Sequence, residues 1–252
     1  MRQTENKANL HDPAGRLQAY VRLRASLDGR PRAWWYRGIQ YGVVDLKPRR
    51  LWAVQGVQVC QFTARDDGAF ENRFRDLLFY QDLQTGETLE RLRNPFTGAE
   101  IRLQPQRVGP MHLVYSRAGA AIKEVENVPP GLETDWRVDR AIVSGDDLIL
   151  HEEGYSRVEA GPATMVLNDF ITFQCSASAA RKPGSDAIPG RYSYCSLMSW
   201  PPFMDMQGQP GHLLGRGNGR KLESRAELDR AFGECLLAFA PDWFDGVHFP
   251  AD

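Results

Sequence analysis

No stretch of the chain approaches the ~18 consecutive apolar residues of a membrane-spanning helix. The first residues, Met1 to Asn9, are polar and hold no hydrophobic signal region. The expectation is a cytoplasmic protein with no membrane partner. Cysteine is scarce, with four residues (Cys60, Cys175, Cys195, Cys235), none in a C-x-x-C pair and none at zinc-finger spacing. Each has apolar neighbours, so free thiols in a reducing compartment are expected. Histidine is scarcer in effect: five are spread along the chain, and no two share a short metal spacing. His151-Glu152-Glu153 lacks the second histidine of a zinc-protease helix. A metal would need His112, His151 and His212 to meet in space, and no metal or other cofactor is expected. A Gly-x-Ser-x-Gly elbow and a dinucleotide fingerprint are both missing, which argues against a serine hydrolase of that type and against a Rossmann domain.

An excess of one charge is also missing. Lys and Arg number 31 against 32 Asp and Glu, a net charge of −1, so no nucleic-acid partner is expected. The distribution is uneven: residues 1–50 hold eleven basic and four acidic residues, leaving −8 for the rest. These basic residues are scattered among Trp, Tyr and Val, as on a solvated face.

What is present is an ordinary globular composition, 42% hydrophobic and 25% charged, with six Trp. The 252 residues fit one domain with its own core. Asp12-Pro13 reads as a helix start, followed by Leu17, Tyr20, Val21 and Arg24 at helical spacing and stopped at Gly29-Arg30-Pro31. Residues 1–30 therefore form an amino-terminal helical segment. Ser224 and Glu227 form a capping box before an apolar face of Leu228, Ala231, Phe232, Cys235, Leu236 and Phe239. Residues 222–252 are then a carboxy-terminal helix and tail. That face can cover a barrel flank or a second copy, so a homodimer stays open.

Between them the chain reads as strands near 33–44, 50–64, 69–82, 88–93, 100–106, 111–117, 134–143, 147–158, 163–176 and 191–200. Turns are signalled at Asp66-Asp67-Gly68, Gln84-Thr85-Gly86, Asn94-Pro95-Phe96-Thr97-Gly98, Gly145-Asp146-Asp147 and Gly161-Pro162. Segment 178–190 reads as a loop, and Asn218-Gly219 as a type I′ hairpin turn. Long strands joined by short turns predict an all-β antiparallel barrel, lipocalin- or calycin-like, with a helix at each end.

Strand parity then nominates inward polar residues. The odd face of 163–175 is apolar but for Asp169; the even face of 136–142 holds Trp136 and Arg140. The odd face of 149–155 holds His151 and Tyr155, and the odd face of 35–43 holds Trp35, Arg37 and Tyr41. If all four faces point inward, the interior is an aromatic pocket with a few convergent polar groups, the usual form of a small-molecule site; a buried Arg–Asp network without chemistry is the competing reading. The segment from Trp200 to His212 carries Met204 and Met206 and would fold over the barrel mouth, either presenting these side chains to a ligand or plugging the core. Arg216 and Lys221, flanking the expected hairpin, would reach an anionic ligand group.

The expected function is a cofactor-independent acid–base lyase in aromatic-compound catabolism, performing a decarboxylation, a dehydration or a retro-aldol release of an aldehyde. Its partner would be a bulky apolar or aromatic small molecule. His151 or Asp169 would be the base and Tyr155 or Tyr41 the acid, with His212 as a substitute for either. Arg37 or Arg140 would anchor a carboxylate or phenolate. The alternative is a non-catalytic carrier using the same pocket.

Asp28-Gly29 leading into Trp34-Trp35-Tyr36-x-Gly38-x-x-Tyr41-Gly42, the turn Asn94 to Gly98, and Trp200-Pro-x-x-Met204 through Pro210-Gly211-His212-Leu213 resemble the family known as domain of unknown function 1838. The resemblance spans residues 28 to about 221. It implies a β-rich fold, and an export signal in many members. It brings no catalytic residues.

Overall fold

In a computed structural model, residues 9–117, 122–124, 131–160, 163–206 and 208–251 are described; the expected Gly161-Pro162 turn lies outside them. The chain is mostly β. One ten-stranded antiparallel sheet carries the fold, in the order β7-β6-β3-β2-β1-β12-β11-β10-β9-β8. Its strands are β1 (Arg32–Val44), β2 (Lys47–Ala64), β3 (Phe70–Gln81), β6 (Gln106–Tyr115), β7 (Ile122–Glu124), β8 (Glu133–Ser144), β9 (Asp147–Ala160), β10 (Ala163–Ser176), β11 (Arg191–Met198) and β12 (His212–Lys221). A two-stranded hairpin, β4 (Arg91–Arg93) with β5 (Glu100–Arg102), inserts between β3 and β6. The sheet curls until Cα atoms of its edge strands, β7 and β8, come within 8 Å, with no ladder between them among the described residues.

Three cores define the molecule. Helix α1 (Pro13–Arg24) is capped by Asp12 and buries Leu17, Tyr20, Val21 and Leu23 against the concave face, with Trp34, Phe62, Tyr115 and Phe173. A second cluster sits further along the same face, where Trp52, Val54 and Tyr80 meet Ile101 of β5 and Met204. The third lies on the convex face. There α3 (Arg230–Phe239) and the tail through Phe249 cover Ala33, Val57, Leu77 and Phe79. Strands β1 to β3 are thus apolar on both faces.

The structure departs from the sequence reading in three places. Residues 212–221 form a full strand between β1 and β11, and Asn218-Gly219 is no hairpin turn. Gly215, Gly217 and Gly219 recur every second residue because they share the concave face of β12, over which Gln40, Tyr194 and Tyr192 lie. A Cβ at Gly217 would stand 2.6 Å from the Tyr194 ring and 2.7 Å from Gly38 Cα, closer still to the Arg37 carbonyl. Backbone cannot yield as a side chain does, so Gly217→Ala is expected to cost about 1–3 kcal/mol in urea denaturation. A loss under a few tenths would mean the strands separate freely here. The Ser224–Glu227 box caps a single 3-10 turn, Arg225–Glu227, while α3 starts later on Asp229. Ser176 caps a short helix, α2 (Ala177–Arg181), at the start of the expected loop, and its hydroxyl accepts from the Ala179 N–H at 3.1 Å.

Candidate functional site

The concave face encloses a cavity of about 380 Å³ between the two inner cores. Its wall is largely apolar and aromatic, and includes Phe74, Trp136, Leu167, Ile171 and Met198. Three carboxyl side chains enter it: Asp76 from β3, Glu152 from β9 and Asp169 from β10. One guanidinium joins them, Arg24 at the end of α1.

Asp169 and Trp136 are the two sequence-predicted residues that line this cavity. The Ser196 hydroxyl donates a short hydrogen bond to Asp169 Oδ1. Burial raises the Asp169 pKa to about 6; the Ser196 bond works against that and the Glu152 charge adds to it. Trp136 lies across Gly154, where a Cβ would stand 2.6 Å from the indole, and donates Nε1–H to Ser156 Oγ at 3.0 Å.

The other predicted residues lie elsewhere. His151 and Tyr155 occupy the face of β9 opposite Glu152 and Ser156, and His151 Nδ1 is 3.3 Å from the Thr172 hydroxyl. Arg140 is displaced by a bulge between Arg137 and Arg140, which turns Ala141 and Val143 inward and Arg140 to solvent. Arg37 and Trp35 are on the convex face of β1, where Trp35 packs on the α3 core and takes Arg37 and Arg220 against its ring. Tyr41 shares the face of β1 that carries Trp35 and Arg37 and is not in the cavity wall. His212 opens β12 opposite Val43, and Arg216 is exposed.

The Trp200–Met206 segment is a plug. Met204 and Met206 are buried in the second core, Asn94 Nδ2–H holds the Met204 carbonyl at 2.6 Å, and Trp200 packs on Phe96. Lys221 is buried on the α1 side, where Nζ donates to the carbonyls of Arg22 (2.9 Å), Ala25 (2.7 Å) and Ile188 (3.1 Å). Among the described residues no three His, Cys, Asp or Glu gather as a metal site. None of the four cysteines forms a disulfide. No helix among those residues is long and apolar enough to cross a membrane.

Asp76, Glu152 and Arg24 were missed. The even face of β3 reads Phe70, Asn72, Phe74, Asp76, Leu78, Tyr80, the same pattern of one carboxylate on an apolar face that singled out Asp169. Arg24 ends the apolar stripe of α1, a signal present in the sequence. Glu152 carries none, since its neighbours Glu153 and His151 are equally polar. The Tyr36 hydroxyl donates to Asp76 Oδ1 at 2.9 Å. Burial raises the Asp76 pKa to about 7; Tyr36, the Leu77 N–H and Arg24 oppose the rise, and Asp169 adds to it. Glu152 Oε1 accepts from both Tyr20 and Tyr115, the latter at 3.0 Å. Arg24 spreads its charge over the Phe173 ring, 5.1 Å away.

Two buried carboxyls in a largely apolar cavity can exchange protons near neutrality. Asp76 and Asp169 are therefore candidates for a proton donor and acceptor pair. No curated protein and no solved structure matches the chain. Residues 30–245 match the family described as protein of unknown function (DUF1838), and the chain belongs to that family.

Proposed function

We propose that the curled sheet works as a lipocalin-like barrel around its cavity, and that the protein is an acid–base lyase on a small, bulky, mostly apolar molecule held there. The observation that carries this reading is the pair Asp76 and Asp169, each held by one hydroxyl, in a cavity that is otherwise largely apolar. An apolar site keeps carboxyl groups poised between their two protonation states, which solvent would not. Asp169 takes a proton from the substrate. Asp76 returns one to the leaving fragment, with the Tyr36 hydroxyl fixing its orientation. Elimination and retro-aldol cleavage need both transfers; decarboxylation of a carboxylate needs only the second, the return of a proton to the carbon that loses CO2. The reading uses Asp169 and Trp136 from the sequence expectation and replaces its histidine and tyrosine acids with Asp76.

The test is incubation of the purified protein with a panel of aromatic acids, alcohols and hydroxyketones, followed by mass spectrometry of the products. Asp169→Asn is expected to lower turnover of a converted compound about 10²–10⁴-fold while the circular dichroism spectrum is unchanged. Full turnover in Asp169→Asn would remove the assignment. A compound that binds and is always recovered unchanged would make the protein a carrier.

A further inference from the structure

We infer that the molecule taken by this cavity carries a basic amine: an ammonium group on an apolar body, seated between Asp76 and Asp169. The inference rests on the cavity reading above and adds the charge of the ligand.

The argument starts from the inventory of charge. Among the described residues the lining holds three carboxyl groups and one guanidinium. Arg24 is committed to the α1 end, against the rings of Trp34 and Phe173 and in the field of Glu152, Tyr20 and Tyr115. Asp76 and Asp169 have hydroxyl partners, and the Arg24 charge acts on Asp76, but neither carboxyl forms an ion pair among the described residues. Arg37, Arg140 and Arg216, which would be needed to anchor an anionic ligand, all lie outside the cavity wall.

The second observation is independent of those two carboxyls. Glu152 and Asn72 are each 1% exposed and line the cavity, yet Glu152 Oε2 and Asn72 Oδ1 have no hydrogen-bond partner. Gln40 Oε1, also in the wall, is a third unmet acceptor. Arg24 Nε is the unmet donor of the same wall, so among the described residues unmet acceptors outnumber unmet donors there, and a ligand bringing N–H donors answers more of them than an acceptor-rich one.

The third is aromatic. Tyr36, Tyr192 and Tyr194 form a chain of rings with centroids 6.1 and 6.2 Å apart, and the Tyr194 hydroxyl feels both Asp76 and Asp169. Ring faces beside two carboxylates are the recurring environment of a bound ammonium. Among the described residues no three acidic, histidine or cysteine side chains gather closely enough to hold a metal ion, which favours an organic cation.

The experiment is isothermal titration of the purified 252-residue protein at pH 7.5 with 2-phenylethylamine, 3-phenylpropylamine and 4-phenylbutylamine. Each is matched by the alcohol and the carboxylate of equal length, and the amine titrations are repeated in two buffers of different ionisation heat. At least one amine is expected to bind roughly tenfold or more tighter than its alcohol, and the carboxylates not at all. Amine binding should release protons, because the ammonium favours the ionised carboxyls. Asp76→Asn and Asp169→Asn should each weaken the amine about tenfold and leave the alcohol unchanged. If alcohols or carboxylates bind as tightly as the amines, or neither variant affects the amine, the ammonium assignment falls and the cavity reading stands. If no probe of any charge binds, both fall.

Discussion

The unfolding free energy is expected to fall by several kcal/mol as the pH is raised from about 4 to about 7, and Asp76→Asn to remove the larger part of that fall. The cause is the burial of Asp76 and Asp169, which lifts their pKa values from 3.8 to about 7 and about 6. Below pH 3.8 both carboxyls are protonated whether the chain is folded or not, and they contribute their full stability. Above it the unfolded chain loses its protons first, and the contribution is lost as the pH climbs through the folded values. Each pH unit in that window is worth about 1.4 kcal/mol per group, so Asp76 alone accounts for roughly 4 kcal/mol and Asp169 for somewhat less.

The two are coupled, since each Asp76 or Asp169 charge disfavours the other, and Glu152, Arg24, Tyr36 and Tyr194 share their field. Asp28, Asp82 and Asp146 act in the opposite direction, because hydrogen bonds hold their pKa values below 3.8. Their contribution is lost only as the pH falls below that range, so maximal stability is expected in mildly acid solution. Asn at position 76 keeps an oxygen for the Tyr36 hydroxyl and has no charge to lose. Urea denaturation at several pH values between 4.5 and 8.5 measures the slope. A wild-type profile flat over that interval would mean that these carboxyls ionise as freely as on the surface.

The second large effect is structural. Lys221→Met is expected to destabilise the protein by about 3–5 kcal/mol, a fall in melting temperature of roughly 10 °C. The Lys221 ammonium is the common partner of three buried carbonyls, two of them, Arg22 and Ala25, at the end of α1. Burial pulls its pKa down to about 7. The carbonyls act the other way, because only the ammonium offers three N–H donors. Methionine fills the space and leaves all three acceptors unpaired. Loss of this tie should also loosen α1, which presents Tyr20 to Glu152 and Arg24 to the cavity. Scanning calorimetry checks the stability, and hydrogen exchange over residues 13–24 checks the helix. A change below 1 kcal/mol would show that water replaces the ammonium at no cost.

The sequence by itself determined the strands other than β7 and β12, most of the turns, the two terminal helical regions and the inward position of Asp169. These are local properties: alternation fixes a strand with one apolar face, and Asp169 interrupts such a face on β10. The same rule applied to β3 reaches Asp76. It could not decide β1, because Trp34 is buried under α1 and Trp35 is partly buried against α3. With two apolar faces, parity has no preferred side, and Trp35, Arg37 and Tyr41 were assigned to the wrong one. Nor could it see the bulge at Arg137/Arg140, which reverses every later side chain of β8. Only the tertiary structure decided that β12 joins β1 to β11 and that Asp76, Glu152 and Asp169 share one cavity. These contacts bring together residues up to some 190 positions apart, such as Trp34 and Lys221. Local propensity has no reach over that distance; burial of the common apolar face supplies the energy that fixes them.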